Sequence, residues 1–320
     1  MEYEPVRFRM TQAADFSNVL EMMPPSYRYS PEILKNIPKL WTNLLRDGSL
    51  LTVVFEDTAS GEMLGMGVSA FLNDDFVDEQ LANPTPYVNK RIHEMLMAGN
   101  SPILSANEIG EANGNSGVNL MPMHFFTPPP DFSNPETLKV LAAAKDLFRI
   151  MHAGFNIKRI LYEVVDINLM RAMQAAGLTL LSDYADADPG FGLEKVPEEI
   201  RPYLLYASHE DLPMGSDIAL MFIKSPVHFH FTPAEQKILL CAMLRENDEE
   251  IASDLHIAPD TVRKHWKSIF QRVQDSNPTF FEDGSESKAN EGTRGRGKRR
   301  QLLRYLQLHM EELRPHKNGR

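Results

Sequence analysis

Cysteine is almost missing from these 320 residues: Cys241 stands alone, which excludes an internal disulfide framework and any zinc site built from clustered cysteines. Long apolar runs are missing too. No stretch approaches the roughly 18 residues that a membrane-spanning helix needs, and residues 1–10 are too polar for a secretory signal, so a cytoplasmic protein without membrane contact is expected. An excess of positive charge is also lacking, since the net charge is −11. That deficit is unevenly placed. Residues 226–320 hold 16 Lys and Arg against 14 Asp and Glu, which leaves 17 against 30 for residues 1–225. The acidity belongs to the front, and the back carries Arg294, Arg296, Lys298, Arg299, Arg300 and Arg304 with no acid between residues 292 and 310. Such a run suits phosphate contacts or a solvated tail.

A hydrophobic content of 42% with 24% charged residues is that of a folded chain, and the length leaves room for two domains. Residues 1–182 read as mixed α and β. An alternating strand opens at Val6, a helix follows Asp15, and β-rich runs at 50–56 and 63–71 flank a turn-rich loop at 57–61. Residues 73–116 lose clear periodicity and read as an insertion. A strand at 118–126, a helix at 135–152, a strand at 157–165 and a short helix ending at Gly177 complete this part. Residues 183–231 read as a connector and 276–297 as a flexible basic loop. Residues 298–314 read as an amphipathic helix, with Leu302, Leu306, Met310 and Leu313 on one stripe. That stripe needs a cover, either in the same subunit or in a homodimer, and the dimer is the expectation taken.

Residues 232–275 carry the clearest motif. Thr232 can cap a helix, Pro233 suits its first position, and Glu235 completes a capping box. A second helix fits from Asp248 to Leu255, a turn falls at His256-Ile257-Ala258, and a third helix starts at Pro259. Val262, Trp266, Ile269, Phe270 and Val273 form its buried side, leaving Arg263, Lys264, Lys267 and Arg272 outward. A short helix, a tight turn and a basic helix make a helix-turn-helix.

Over residues 231–273, the runs Thr232-Pro-Ala-Glu235, Glu250-Ile-Ala-Ser-Asp-Leu255 and Thr261-Val-Arg-Lys-His265 resemble LuxR-type DNA-binding domains in order and spacing. The resemblance implies that the third helix enters the major groove of double-stranded DNA. Arg263, Lys264 and Lys267 would then face the bases, Thr261 would serve phosphate or packing, and Arg294, Arg296 and Lys298 would lie beside the duplex. The chain departs from the family at three places: His256 replaces the turn glycine, Ala258 replaces a capping Ser or Thr, and Glu249 stands where a basic residue is common.

Residues 6–181 resemble the GNAT acyltransferase superfamily in element order, on the runs Val6-Arg-Phe-Arg-Met-Thr-Gln-Ala-Ala-Asp15, Met63-Leu-Gly-Met-Gly-Val68, Asp166-Ile-Asn168 and Ala176-Gly-Leu178. The resemblance implies a mixed sheet with flanking helices. Active members hold the cofactor pyrophosphate on a glycine-rich loop at a helix N-terminus. Here Thr127-Pro-Pro-Pro-Asp131 follows the strand, and Met173 stands where the family often has a tyrosine acid. The front domain is therefore expected to be non-catalytic, a sensor or interaction domain with no catalytic residue and no cofactor. His93-Glu94 lacks the second histidine of a zinc helix, and His228 and His230 lack a third ligand, so no metal is expected. Tyr27 and Tyr29, near Pro24-Pro25, are read as a packed loop in preference to a pocket lining. The fold class expected is an α+β, GNAT-like front domain followed by an all-α helix-turn-helix domain. The leading function is a DNA-binding transcriptional regulator with an unknown small-molecule or protein effector. The alternatives are a GNAT-like acyltransferase carrying a helix-turn-helix module, and an interaction module that has lost DNA binding.

Overall fold

The two β-rich runs around the loop at 57–61 pair as an antiparallel hairpin, β2 (Leu50–Asp57) with β3 (Met63–Leu72), and the Asp57 carboxylate accepts from the amides of Ala59 and Ser60 to set the turn. The computed structural model describes residues 6–23, 27–126, 135–184, 201–213, 215–244, 247–281 and 291–316. In it the hairpin belongs to a seven-stranded sheet with β1 (Val6–Met10), β4 (Val118–Phe126), β5 (Ile157–Val164), β6 (Thr179–Ser182) and β7 (Tyr203–Ser208), in the order β1-β2-β3-β4-β5-β7-β6. Every neighbouring pair is antiparallel except β4 with β5, which run parallel. This mixed sheet flanked by helices follows the α+β element order expected of the front part. One boundary moves: β7 inserts between β5 and β6, so part of the expected connector at 183–231 is a strand of the front sheet.

Helices cover both faces. On one, α1 (Asp15–Val19), α2 (Pro31–Arg46), α3 (Asp74–Ala82) and α4 (Val88–Met97) bury Phe16, Trp41, Phe76 and Ile92 against Val54, Met66 and Met121 of the sheet. Ser30 caps α2 by accepting from the Ile33 amide, and Asn73 caps α3 from the Phe76 amide. The aperiodic stretch at 73–116 is thus a helical insertion, closed by α5 (Ala106–Gly114) behind the Ser105–Glu108 capping box. On the other face, α6 (Pro135–His152) and α7 (Ile167–Ala175) pack with a short 3-10 segment, Asp217–Phe222.

The last third folds as α8 (Pro233–Met243), α9 (Asp248–Asp254), α10 (Pro259–Ser276) and α11 (Glu291–Leu306). Thr232 and Glu235 form their capping box, His256 takes a left-handed φ of 53°, and Ala258 leaves α10 without a side-chain cap. Helix α11 begins at Glu291, so the expected loop at 276–297 is helical from there on, and it stops at Leu306, so the expected helix at 298–314 is instead the end of α11 followed by a 3-10 turn at Met310–Leu313; residues 282–290 lie outside the described residues.

These helices are not a separate bead. Ile238, Leu239, Ile251, Val262, Trp266 and Ile269 share one core with Val53, Phe55, Leu147, Ile150 and Met151 of the front part. Leu302, Leu306, Met310 and Leu313 are all buried in that core, which corrects the expectation that a second subunit covers their stripe. Burying such side chains contributes about 1.5–3 kcal/mol each, so the chain gains this within itself. At the sheet edge, the Met10 amide donates to Asp254 at 3.2 Å and Arg7 meets Glu250, which closes β1 with α9.

Candidate active site

The parallel pair holds only Val118 with Ile157, Asn119 with Arg159, and Leu120 with Ile160. Beyond them β5 stays paired with β7, while β4 carries on beside β3 through an irregularity opposite Val68 and Ser69. Pro122 has no amide to offer a ladder there, so the strands part toward their C-terminal ends. His124 on β4 and Glu163 on β5 both lie past the point of parting, on the face covered by α2 and α4.

Glu163 is 1% exposed. Its carboxylate accepts from the Val88 amide at 2.7 Å and the Asn89 amide at 3.2 Å, so it caps the N-terminus of α4, whose first residues follow Tyr87 at a left-handed φ of 58°. Burial pushes its carboxyl up to about 7, against the pull of those amides. A carboxyl that titrates near neutrality can take a proton from a reacting group and return it.

His124 is 3% exposed and ringed by aromatic groups: Tyr27 at 4.8 Å and edge-on, Phe126 stacked at 5.1 Å, Trp41 at 5.5 Å and His93 at 6.1 Å between centroids. Its Nε2 meets the Tyr29 hydroxyl at 2.9 Å, and its Nδ1 is buried with no hydrogen-bond partner among the described residues. His93 is satisfied on both sides. The Trp41 indole donates to Nε2 at 2.9 Å and Nδ1 meets the Asn89 carbonyl at 2.7 Å, which requires the neutral ring with its proton on Nδ1. Burial lowers His93 to about 4 and holds His124 well below the ordinary histidine range, with His93 adding to the second effect. Burial also raises the Tyr27 and Tyr29 hydroxyls. The parted strands therefore hold a dry set of groups that keep or pass protons as neutral species.

The residues expected to read DNA lie elsewhere. Arg263, Lys264 and Lys267 are exposed on α10, with Arg263 ion-paired to Asp260, and Thr261 is half-buried. Arg296 is exposed on α11, while Lys298 is half-buried, 5.0 Å over the Phe281 ring and bonded to Gln274. Arg294 lies in α11, and its side chain is outside what the structure describes. Among the described residues no three His, Cys, Asp or Glu stand where they could share a metal ion, and no helix is long and apolar enough to cross a membrane. At the opposite end of the β4–β5 pair, an open groove of about 1160 Å³ is lined by Asp74, Asp78, Lys158 and Arg159. Those four side chains pair with one another, which leaves the groove no unspent charge from them.

No family model matches the chain, and no curated protein matches it. Solved structures do. The spermidine/spermine N-acetyltransferase SpeG from Vibrio cholerae matches at 10% identity and TM-score 0.35, over 64% of this chain and 94% of its own. A mosquito arylalkylamine N-acetyltransferase-like protein, 5b, matches at 13% and 0.37, over 63% and 99%. The C-terminal condensation domain of Ebony, in complex with beta-alanyl-dopamine, matches at 12% and 0.38, over 64% and 100%. Superpositions this loose carry no activity across, and the fold rests on the strand order itself. None of these three is a LuxR-type DNA-binding domain, so that resemblance gains nothing from them. The expectation of a DNA-binding regulator with a non-catalytic front domain is corrected at the front domain, whose parted strands bury a carboxyl and an imidazole suited to moving a proton. Its non-catalytic half rested on the loop at 127–131, which lies outside the described residues, and on Met173 in place of a tyrosine acid, and it overlooked the Glu163–His124 set.

Tyr27 and Tyr29, expected as a packed loop before a pocket, do pack on each other and on His124. Glu163, His124 and Trp41 were not legible in the sequence, although a lone carboxylate in Ile160-Leu-Tyr-Glu-Val164 and a lone histidine in Val118-Asn-Leu-Met-Pro-Met-His-Phe-Phe126 are polar exceptions inside apolar strands.

Proposed function

We propose that this chain is a GNAT-like acyltransferase carrying a helix-turn-helix module. The observation that supports it is the parting of β4 and β5 around buried Glu163 and His124. An acyl-CoA bound there would supply an activated acyl group. The residues of the acyl end suit that role: Glu163 can accept the proton that an acceptor amine must lose, and His124 can hold or return a proton at Nε2 once the Tyr29 hydroxyl leaves it. The phosphate end needs a cradle other than the glycine-rich loop, because the prolines at 128–130 carry no amides.

The test is thiol release from acetyl-CoA in the presence of a panel of primary amines. Wild type should release thiol, and Glu163→Gln and His124→Asn should each lower kcat by about 100-fold or more, the scale of a lost acid or base. No thiol release with any amine, together with no heat of acetyl-CoA binding, would sink the reading.

The module is proposed to hold double-stranded DNA, supported by the exposure of Arg263, Lys264 and Lys267 on one side of α10. Lys264→Ala and Lys267→Ala should weaken binding to duplex DNA, each lowering the salt slope by about one unit if it contacts phosphate. Unchanged affinity and slope in both variants would remove DNA from the proposal.

A further inference from the structure

We propose that Tyr27, Arg28 and Tyr29 form a gate over the space between β4 and β5, latched by the Arg28 guanidinium against the Tyr87 ring. What the gate admits, the acceptor of the acyl group, rests on the acyltransferase reading; the latch rests on the geometry alone.

The rings of Tyr27 and Tyr29 stack on each other at 5.9 Å and stand against His124 at 4.8 and 5.8 Å. With them in place His124, Glu163 and His93 are all sealed from water, and nothing can reach the Nε2 that Tyr29 occupies. Both tyrosines keep partial exposure while Phe16, Ile37 and Trp41 of the cluster that Tyr29 packs against are fully buried, so the two tyrosines form the outer layer of this face.

The segment is held in a conformation that side chains resist. Arg28 has φ 53° and Tyr87, at the entrance to α4, has φ 58°; neither is glycine. Strain of this kind persists only where surrounding contacts hold it, and these two residues meet each other, with the guanidinium 5.9 Å from the Tyr87 ring centroid. Arg28 is exposed, so releasing the latch strands no charge in the interior. Opening frees the His124 Nε2, the same atom the chemistry needs, so the closed gate and a working site exclude each other.

Trp41 lies fully buried beneath the gate, and the only other tryptophan is Trp266, so Trp266→Phe protein reports on Trp41 alone. In that background Arg28→Ala should raise the acrylamide quenching constant of Trp41 by about two- to fivefold, the shift that loss of an exposed cation–π contact supports, with circular dichroism unchanged. Arg28→Lys, which keeps a cation, should rise less. Equal quenching in wild type and Arg28→Ala would overturn the latch. Raised quenching without thiol release from acetyl-CoA would leave the gate standing and the acyltransferase reading fallen. Thiol release with quenching and acceptor KM both unmoved by Arg28→Ala would do the reverse.

Discussion

Glu163 sets two demands against each other. Its amide partners favour the ionised form, its burial disfavours it more, and the net rise to about 7 makes folding a proton-uptake process between the unfolded value near 4.5 and the folded one. The stability this group contributes is therefore complete below the lower value and is lost as the pH rises through the upper one, by about 3 kcal/mol in all. Glu163→Gln cannot titrate, so its urea midpoint should fall less than that of wild type between about pH 5 and about pH 8. Parallel profiles would show that the carboxyl is not buried as described. His93 acts in the opposite sense. Its folded value near 4 lies below the ordinary 6.5, so the unfolded chain binds a proton first, and stability is lost as the pH falls through that window. His93→Gln should flatten the acid limb of the same profile.

At the scale of elements, the turn between α9 and α10 carries two local faults that the sequence already displayed. His256 adopts a left-handed φ of 53° where glycine would rest without strain, and Ala258 offers no side-chain cap to α10. His256→Gly and Ala258→Ser should each raise stability, by about 0.5–1 kcal/mol, in thermal or urea unfolding. A loss in both would mean that this turn has another constraint. Caps and periodicity made these helices legible: Thr232 and Glu235 mark α8 and Pro259 marks α10, by rules that act over a few residues. Elements that depend on distant partners were not legible. Tyr203–Ser208 is a short run beside Pro- and Asp-rich sequence, and becomes β7 only because β5 and β6 flank it. The start of α11, with Gly292, Gly295 and Gly297, reads as a loop by propensity. Farther along that helix, Arg299 packs over Trp266 at 4.0 Å. The candidate site failed to show for the same reason, since Glu163 meets Val88 and Asn89 across 75 and 74 residues of chain.

The whole molecule is tied together by its last described turn. The Arg314 guanidinium is 2% exposed, donates to the Ile150 and Ala153 carbonyls at the C-terminal end of α6, and lies 4.8 Å over the Phe155 ring. Two residues earlier, the Glu312 carboxylate accepts from the His228 and Phe229 amides ahead of α8, while Gln236 of α8 donates to the backbone carbonyls of Glu312 and Arg314. Gly154 lets this strap approach, because a Cβ there would stand 2.3 Å from the Glu311 nitrogen. One segment thus joins the helix that follows β4 to the helix that opens the module, over a core the two parts already share. Such a chain should unfold in one transition rather than as two domains in sequence. Arg314→Met keeps the bulk but leaves the α6 carbonyls without their donors, each a buried acceptor whose loss of partner costs about 1–3 kcal/mol. Calorimetry should then show a lower midpoint, and a module that melts ahead of the sheet if the strap is what couples them. A single transition at the wild-type temperature would mean that the shared core alone does the coupling.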